Sequence, residues 1–304
     1  MERLAGHVVQ LWVRPRAPIW CVGTGWAALC GAIASGILWE DGTSWLTRIA
    51  TISLIWLLAD PVLGTLWELG TMPDGVWRQL WRATGSADDN LAPILLPYTQ
   101  PGSPAWRLAN WLGRQSAWWR AVFWPQNAEA FITICGLFPV ALIVGALLNR
   151  AVPILICMQV VLAWLIALWC RELPSSKSDH PWRVRTANAW GQFGIPWMIG
   201  FAASGEPQWP GVALGICMTF SYMGLLREPI WQPSVLAGQL AAFVIVLGTR
   251  QLLALSGVAV LLIVEGGLWL AKGLNDNPDA RLLTGVHLLV LGVMLIASFA
   301  VGLG

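Results

Sequence analysis

Charge is what this 304-residue chain has little of. Lys and Arg number 18 and Asp and Glu 16, together 11% of the residues, against roughly 25% in an ordinary soluble domain. So few charges cannot cover a water-exposed surface of this size. That excludes a soluble enzyme and a disordered chain. A net charge of only +2 gives no electrostatic basis for a polyanionic partner, so no nucleic acid is expected. Three His and the absence of any C-x-x-C pair leave no zinc-binding spacing. The six cysteines (Cys21, Cys30, Cys135, Cys157, Cys170 and Cys217) fall in or beside apolar runs and are expected to be small core hydrophobes. Tyr is nearly missing, at 2 residues, whereas Trp reaches 22. Trp favours the membrane–water interface, where its ring is buried and its N–H stays wet.

What the chain does have is apolar runs, and its mean hydropathy is +0.63. Nine such runs stand out, at roughly 19–38, 48–68, 129–148, 151–170, 188–204, 209–225, 234–248, 251–272 and 282–303. Their lengths approach the ~20 residues that cross a bilayer as a helix. The fifth and seventh are short and predict tilt or local thinning. The first follows Arg3, Arg14 and Arg16 and contains Ala32-Ile33-Ala34, which resembles a signal cleavage site. Its apolar stretch exceeds the roughly 7–15 residues of a signal core, so a retained span is expected.

The basic residues give an orientation. With the N-terminus cytoplasmic, that side collects Arg3, Arg14, Arg16, Arg78, Arg82, Arg107, Arg114, Arg120, Arg171, Lys177, Arg183, Arg185, Arg227, Lys272 and Arg281. The other side keeps Arg48, Arg150 and Arg250, each in a tight connection. The positive-inside rule then predicts an all-α, single-domain membrane protein over 1–304, nine spans, N-terminus in and C-terminus out. The expected location is a bacterial inner (cytoplasmic) membrane. The loop at 69–128 stands out by length. Within it, Arg107, Trp111, Arg114 and Trp118 recur at i, i+4, i+7 and i+11, which predicts an amphipathic helix over about 105–124 in the interface. It would serve as an anchor, or as a lid over a cytoplasmic cavity.

Ionisable groups inside spans are costly and mark functional candidates. Asp60 lies in the second run, Glu265 in the eighth and His287 in the ninth, all toward the cytoplasmic ends. Each also has a structural explanation. Asp60 precedes Pro61 and would satisfy backbone groups freed at a proline kink. Glu265 would hydrogen-bond His287 across neighbouring helices. His287 would alternatively ligate a haem iron or a chlorophyll magnesium. Arg227 and Glu228 would form a solvated loop pair.

Three stretches suggest a relationship. Arg14-Pro15-Arg16-Ala17-Pro18-Ile19-Trp20 precedes the first run. Leu96-Pro97-Tyr98-Thr99-Gln100-Pro101-Gly102-Ser103 precedes the third. Leu291-Gly292-Val293-Met294 lies in the final segment. With the nine-span layout and its long cytoplasmic loops, these resemble the UbiA superfamily of intramembrane prenyltransferases. The ending, and Trp26–Gly36 in the first run, are similar to chlorophyll and bacteriochlorophyll synthases. The resemblance implies a UbiA-like bundle that transfers a prenyl group from a polyprenyl diphosphate to a lipophilic acceptor, using Mg²⁺ held by two Asp-rich motifs. Carried onto this chain, Asp60, Glu68, Asp88, Asp89 and Glu228 would handle Mg²⁺ and diphosphate. Arg227, with Lys177 or Arg183, would aid the leaving group.

The motifs are incomplete here. The second-run register reads Asp60-x-x-x-Gly64-x-x-x-Glu68, with glycine where the family has a carboxylate, and Glu228 has no acidic partner one turn away. The alternative is therefore a non-catalytic relative. It would bind a pigment, quinone or lipid, with Glu265 and His287 as candidate contacts, or scaffold a larger membrane complex, photosynthetic in setting. Against a transporter or channel, the two halves show neither an inverted repeat nor matched broken helices.

Overall fold

The computed structural model describes residues 23–39, 42–71, 103–120, 124–169, 182–203, 208–226, 231–273 and 280–304. Among them there is no strand; the fold is all helix. The helices are α1 (Thr24–Ala34), α2 (Trp45–Leu57), α3 (Gly64–Thr71), α4 (Pro104–Trp118), α5 (Trp124–Leu148), α6 (Val152–Trp169), α7 (Trp182–Ala189), α8 (Ile195–Ala203), α9 (Trp209–Leu225), α10 (Gln232–Gly248), α11 (Leu252–Gly273) and α12 (Ala280–Leu303). A π-helical turn, Leu58–Leu63, joins α2 to α3, and a second, Trp190–Gly194, joins α7 to α8. Four stretches are long and apolar enough to cross a membrane: Trp45–Thr71, Phe131–Leu148, Leu252–Leu270 and Gly285–Leu303. Shorter apolar helices cover Thr24–Ala34, Val152–Ile166, Trp209–Leu225 and Gln232–Gly248. This fits an integral membrane protein.

Each π turn has a local cause. Pro61 brings no N–H into the first, which breaks the regular i to i−4 ladder there. In the second, Pro196 follows two residues on, and Gly191 and Gly194 lie inside the turn. The Gln159 carboxamide of α6 donates to the Gly191 carbonyl at 2.8 Å, so this irregular backbone oxygen is satisfied from a neighbouring helix. The fifth apolar run belongs to a helical stretch that begins at Trp182, six residues earlier than hydropathy places it. Arg183, Arg185 and Asn188 hide its first turns from a hydropathy reading.

Two apolar cores flank a central helix pair, α1 and α8. One face of α1 (Ala27, Cys30, Ala34) joins a core built from α9, α10, α11 and α12. Another (Ala28, Ala32) joins a core built from α2, the first π turn, α3, α5 and α6. On α8, Trp197 and Phe201 go to the first core, and Ile195 and Ile199 to the second. The pair approaches at backbone distance because each helix supplies a glycine. A Cβ at Gly31 would lie 2.1 Å from the Trp197 carbonyl oxygen, and one at Gly200 would lie 1.9 Å from that of Ala28. This is the small-residue packing membrane helices use where no hydrophobic force drives them together. Gly215 and Gly224 pack in the same manner against Trp197 and Trp231. Gly266, also a glycine within an apolar run, differs: a Cβ there would meet nothing within 4 Å among the described residues.

The amphipathic segment is α4. Ser103 caps it, its hydroxyl accepting from the Trp106 N–H at 3.1 Å, and Pro104 opens its first turn. Trp106, Leu108, Trp111 and Leu112 are exposed on it. Trp45, Trp124, Trp182 and Trp209 are exposed at the first residue of their helices, as interfacial anchors require. Trp197, Trp67 and Trp269 are buried core residues instead.

Candidate functional site

Asp60 lies within the first π turn and is half-buried. Its side chain packs against the N-terminal end of α1, with its carboxyl beside the Gly25 backbone N–H. Gly25 permits this approach: a Cβ there would lie 2.8 Å from both the Asp60 Cβ and the Trp56 indole nitrogen. The first-turn N–H groups of a helix need acceptors, and a carboxylate suits the positive end of its dipole. Asp60 thus faces the end of a helix other than its own. Glu68 is partly buried on α3, below the π turn. Among the described residues, no three His, Cys, Asp or Glu side chains gather closely enough to hold a metal ion. Asp88, Asp89, Lys177, Arg227 and Glu228 lie outside the described residues.

Glu265 is fully buried on α11. Its Oε1 accepts from the Trp269 indole N–H, one turn along the same helix, at 3.2 Å. The Gln239 carboxamide of α10 lies beside it. Among the described residues, neither polar atom of Gln239, nor Glu265 Oε2, completes a hydrogen bond. The expected Glu265–His287 bond is therefore not formed: Glu265 partners its own helix and faces α10. His287 is partly buried on α12. The structure does not bring Asp60, Glu265 and His287 into one site. Asp60 belongs to the α1–α2 side, whereas Glu265 lies between α10 and α11.

Two polar sites were missed by a search for charged residues. In the first, the Tyr222 hydroxyl meets Gln192 Oε1 at 3.1 Å, and its ring stacks on Phe193 at 5.2 Å. In the second, the Trp67 indole nitrogen and Gln159 Oε1 are buried without hydrogen-bond partners among the described residues. Both residues line a cavity of about 20 Å³ between α3, α5 and α6. Uncharged Gln, Tyr and Trp in apolar runs carry no signal unless polarity is weighed together with burial.

An apolar groove of about 870 Å³ runs between α6 and the α7–α8 stretch. Ile154, Met158, Val161 and Leu165 form one wall, and Ala187, Trp190 and Met198 the other. Arg183 is its charged lining residue, at the Trp182 end, with its guanidinium 5.9 Å from the Trp182 ring centroid. Of the three cationic candidates Arg183, Lys177 and Arg227, Arg183 is the described one, and it lines this groove. Compared with known proteins, the chain matches no family model, no curated protein and no solved structure.

Proposed function

We propose that this chain is a UbiA-like membrane bundle of nine spans that holds a long lipophile, a quinone, pigment or lipid, inside the bilayer. The observation that carries this reading is the groove between α6 and α7–α8, apolar along its walls and lined by the cationic Arg183 near the Trp182 end. A site of this volume and lining takes a drug-sized or chain-like apolar ligand. Such a holder needs no paired carboxylates, in keeping with Asp60 being engaged by the N-terminal end of α1. The test is extraction and mass analysis of lipophiles that copurify with the protein in mild detergent. One species at near-stoichiometric yield, lost when Val161→Trp obstructs the groove, is expected. Absence of any retained lipophile would sink the reading.

Prenyl transfer is the second reading, and the same groove favours it, since a polyprenyl diphosphate is an apolar chain with an anionic end. The residues described do not by themselves fit a Mg²⁺ site, because Asp60 and Glu68 bring only two carboxylates and Asp60 is already engaged. The reading therefore relies on Asp88, Asp89 and Glu228 to bind the metal, and on Arg227 and Lys177 to take the leaving diphosphate. It predicts Mg²⁺-dependent binding of geranylgeranyl diphosphate that falls tenfold or more (at least ~1.4 kcal/mol) in Glu68→Gln or Asp60→Asn. Binding indifferent to Mg²⁺ and to both substitutions would remove it.

A further inference from the structure

We infer that the occupant of the groove is an anionic phospholipid of the leaflet facing the basic loops, with one chain in the groove and its phosphate on Arg183. This rests on the reading of the groove as a lipophile site and names the ligand. Length is the first argument. Ile154 to Leu165 on α6 spans about 17 Å at 1.5 Å per residue. Thr186 to Met198 on the facing stretch spans about 18 Å by the same rise. Both walls match half of the ~30 Å hydrocarbon core, the depth of one leaflet. A quinone or pigment tail crossing the midplane would need a longer groove, and a chain entering sideways would not need both ends defined.

Charge and polarity give the second argument. The groove changes character at one end only. Trp182 is 69% exposed there, as in an aromatic belt, and the exposed Arg183 stacks near its ring. An arginine at that depth extends to the phosphate level and pairs with phosphate oxygens through its planar fork. The neighbouring polar group, the Thr186 hydroxyl, is already used: it donates to the Trp182 carbonyl at 2.9 Å and lies 3.3 Å from Met223 Sδ. Among the described lining residues this leaves one cation and no anion, which selects against lipids without net negative charge.

The experiment uses the full-length protein, delipidated in detergent. It is then offered equal mole fractions of palmitoyl-oleoyl phosphatidylglycerol and phosphatidylcholine and read by native mass spectrometry. The wild-type chain is expected to retain phosphatidylglycerol over phosphatidylcholine by about tenfold, roughly 1.4 kcal/mol. Arg183→Gln is expected to abolish the preference while total lipid retention persists, and Arg183→Lys to keep part of it. Val161→Trp should lower retention of both lipids. Equal retention by the wild type, or a preference that survives Arg183→Gln, overturns the headgroup assignment and leaves the groove reading standing. Retention untouched by Val161→Trp places the lipid elsewhere and also overturns it. If neither lipid is retained by the wild type, this inference fails, while the lipophile-holding reading is decided separately by whether any quinone, pigment or other lipophile copurifies.

Discussion

At the residue scale, the glycines of the α1–α8 pair and the buried polar groups decide most. Gly200→Ala would drive a Cβ to within 1.9 Å of the Ala28 carbonyl oxygen, and Gly31→Ala to within 2.1 Å of that of Trp197. Backbone cannot give as a flexible side chain does, so the helices must separate. We expect a loss at or above the upper end of the ~1–3 kcal/mol usual for overpacking, read as a fall in unfolding midpoint in detergent. Gly266→Ala is the control, since a Cβ there meets nothing within 4 Å. It should be neutral or stabilising by up to about 1 kcal/mol through helix propensity. Stability lost equally in all three variants would disprove the close-packed α1–α8 pair. Trp269→Phe removes the donor to Glu265 Oε1 and leaves a fully buried carboxyl without that bond. The expected cost is about 1–3 kcal/mol, by the same measurement. An unchanged midpoint would show that Glu265 draws its stabilisation from elsewhere.

At the element scale, the two π turns show how the bundle accommodates irregular helices. The first places Asp60 against the Gly25 N–H, and the second turns the Gly191 carbonyl toward Gln159. Gln159→Leu should destabilise the protein by about 1–3 kcal/mol, because the Gly191 carbonyl oxygen loses the donor it has within the bundle. Hydrogen exchange should rise across 190–194 more than across α9. A uniform rise would mean that Gln159 is not specific to the turn. α4 depends on its cap: Ser103→Ala removes the acceptor for the Trp106 N–H, at an expected cost of about 1 kcal/mol to that helix. Sequence patterning finds most elements to within a few residues. The α4 segment was legible from its i, i+4, i+7, i+11 repeat, and its observed start at Pro104 is one residue from the sequence-based one. Neither π turn was legible as such. Pro61 marks the first, but Pro also occurs inside α5 at Pro139 without a π turn being assigned there.

At the scale of the whole molecule, the two-core arrangement around α1 and α8 makes the orientation of the spans a testable property. The proposed nine spans with the N-terminus inside would place the C-terminus outside, Arg250 outside and Arg183 inside. Single-cysteine labelling with a membrane-impermeant maleimide, in a background where native cysteines are replaced, should modify position 250 from outside. Position 183 should react only after permeabilisation. Arg250 is a suitable probe because it is exposed in the tight α10–α11 turn, with a left-handed φ of 59°. Labelling of both positions from one side would reverse the relation between spans and loops on which the lipid assignment relies.

The sequence by itself determined that this chain is helical and apolar, and where nearly every helix lies. Those properties depend on local composition and period, which hydrophobic runs and caps report directly. It also singled out Asp60, Glu265 and His287, because an ionisable group within an apolar run is conspicuous in one dimension, whereas Arg183, between two runs, was reached only through the family resemblance. What each of them does was decided by the tertiary structure. Asp60 packs against the N-terminal end of α1 from another helix, Glu265 meets Trp269 and faces Gln239 rather than His287, and Arg183 lines a groove whose two walls come from different helices. The reason is physical: the partner of a buried polar group is set by which helix faces meet. Those faces are chosen by close packing of small residues such as Gly31 and Gly200, whereas at Gly266, likewise a glycine within an apolar run, a Cβ would meet nothing within 4 Å among the described residues.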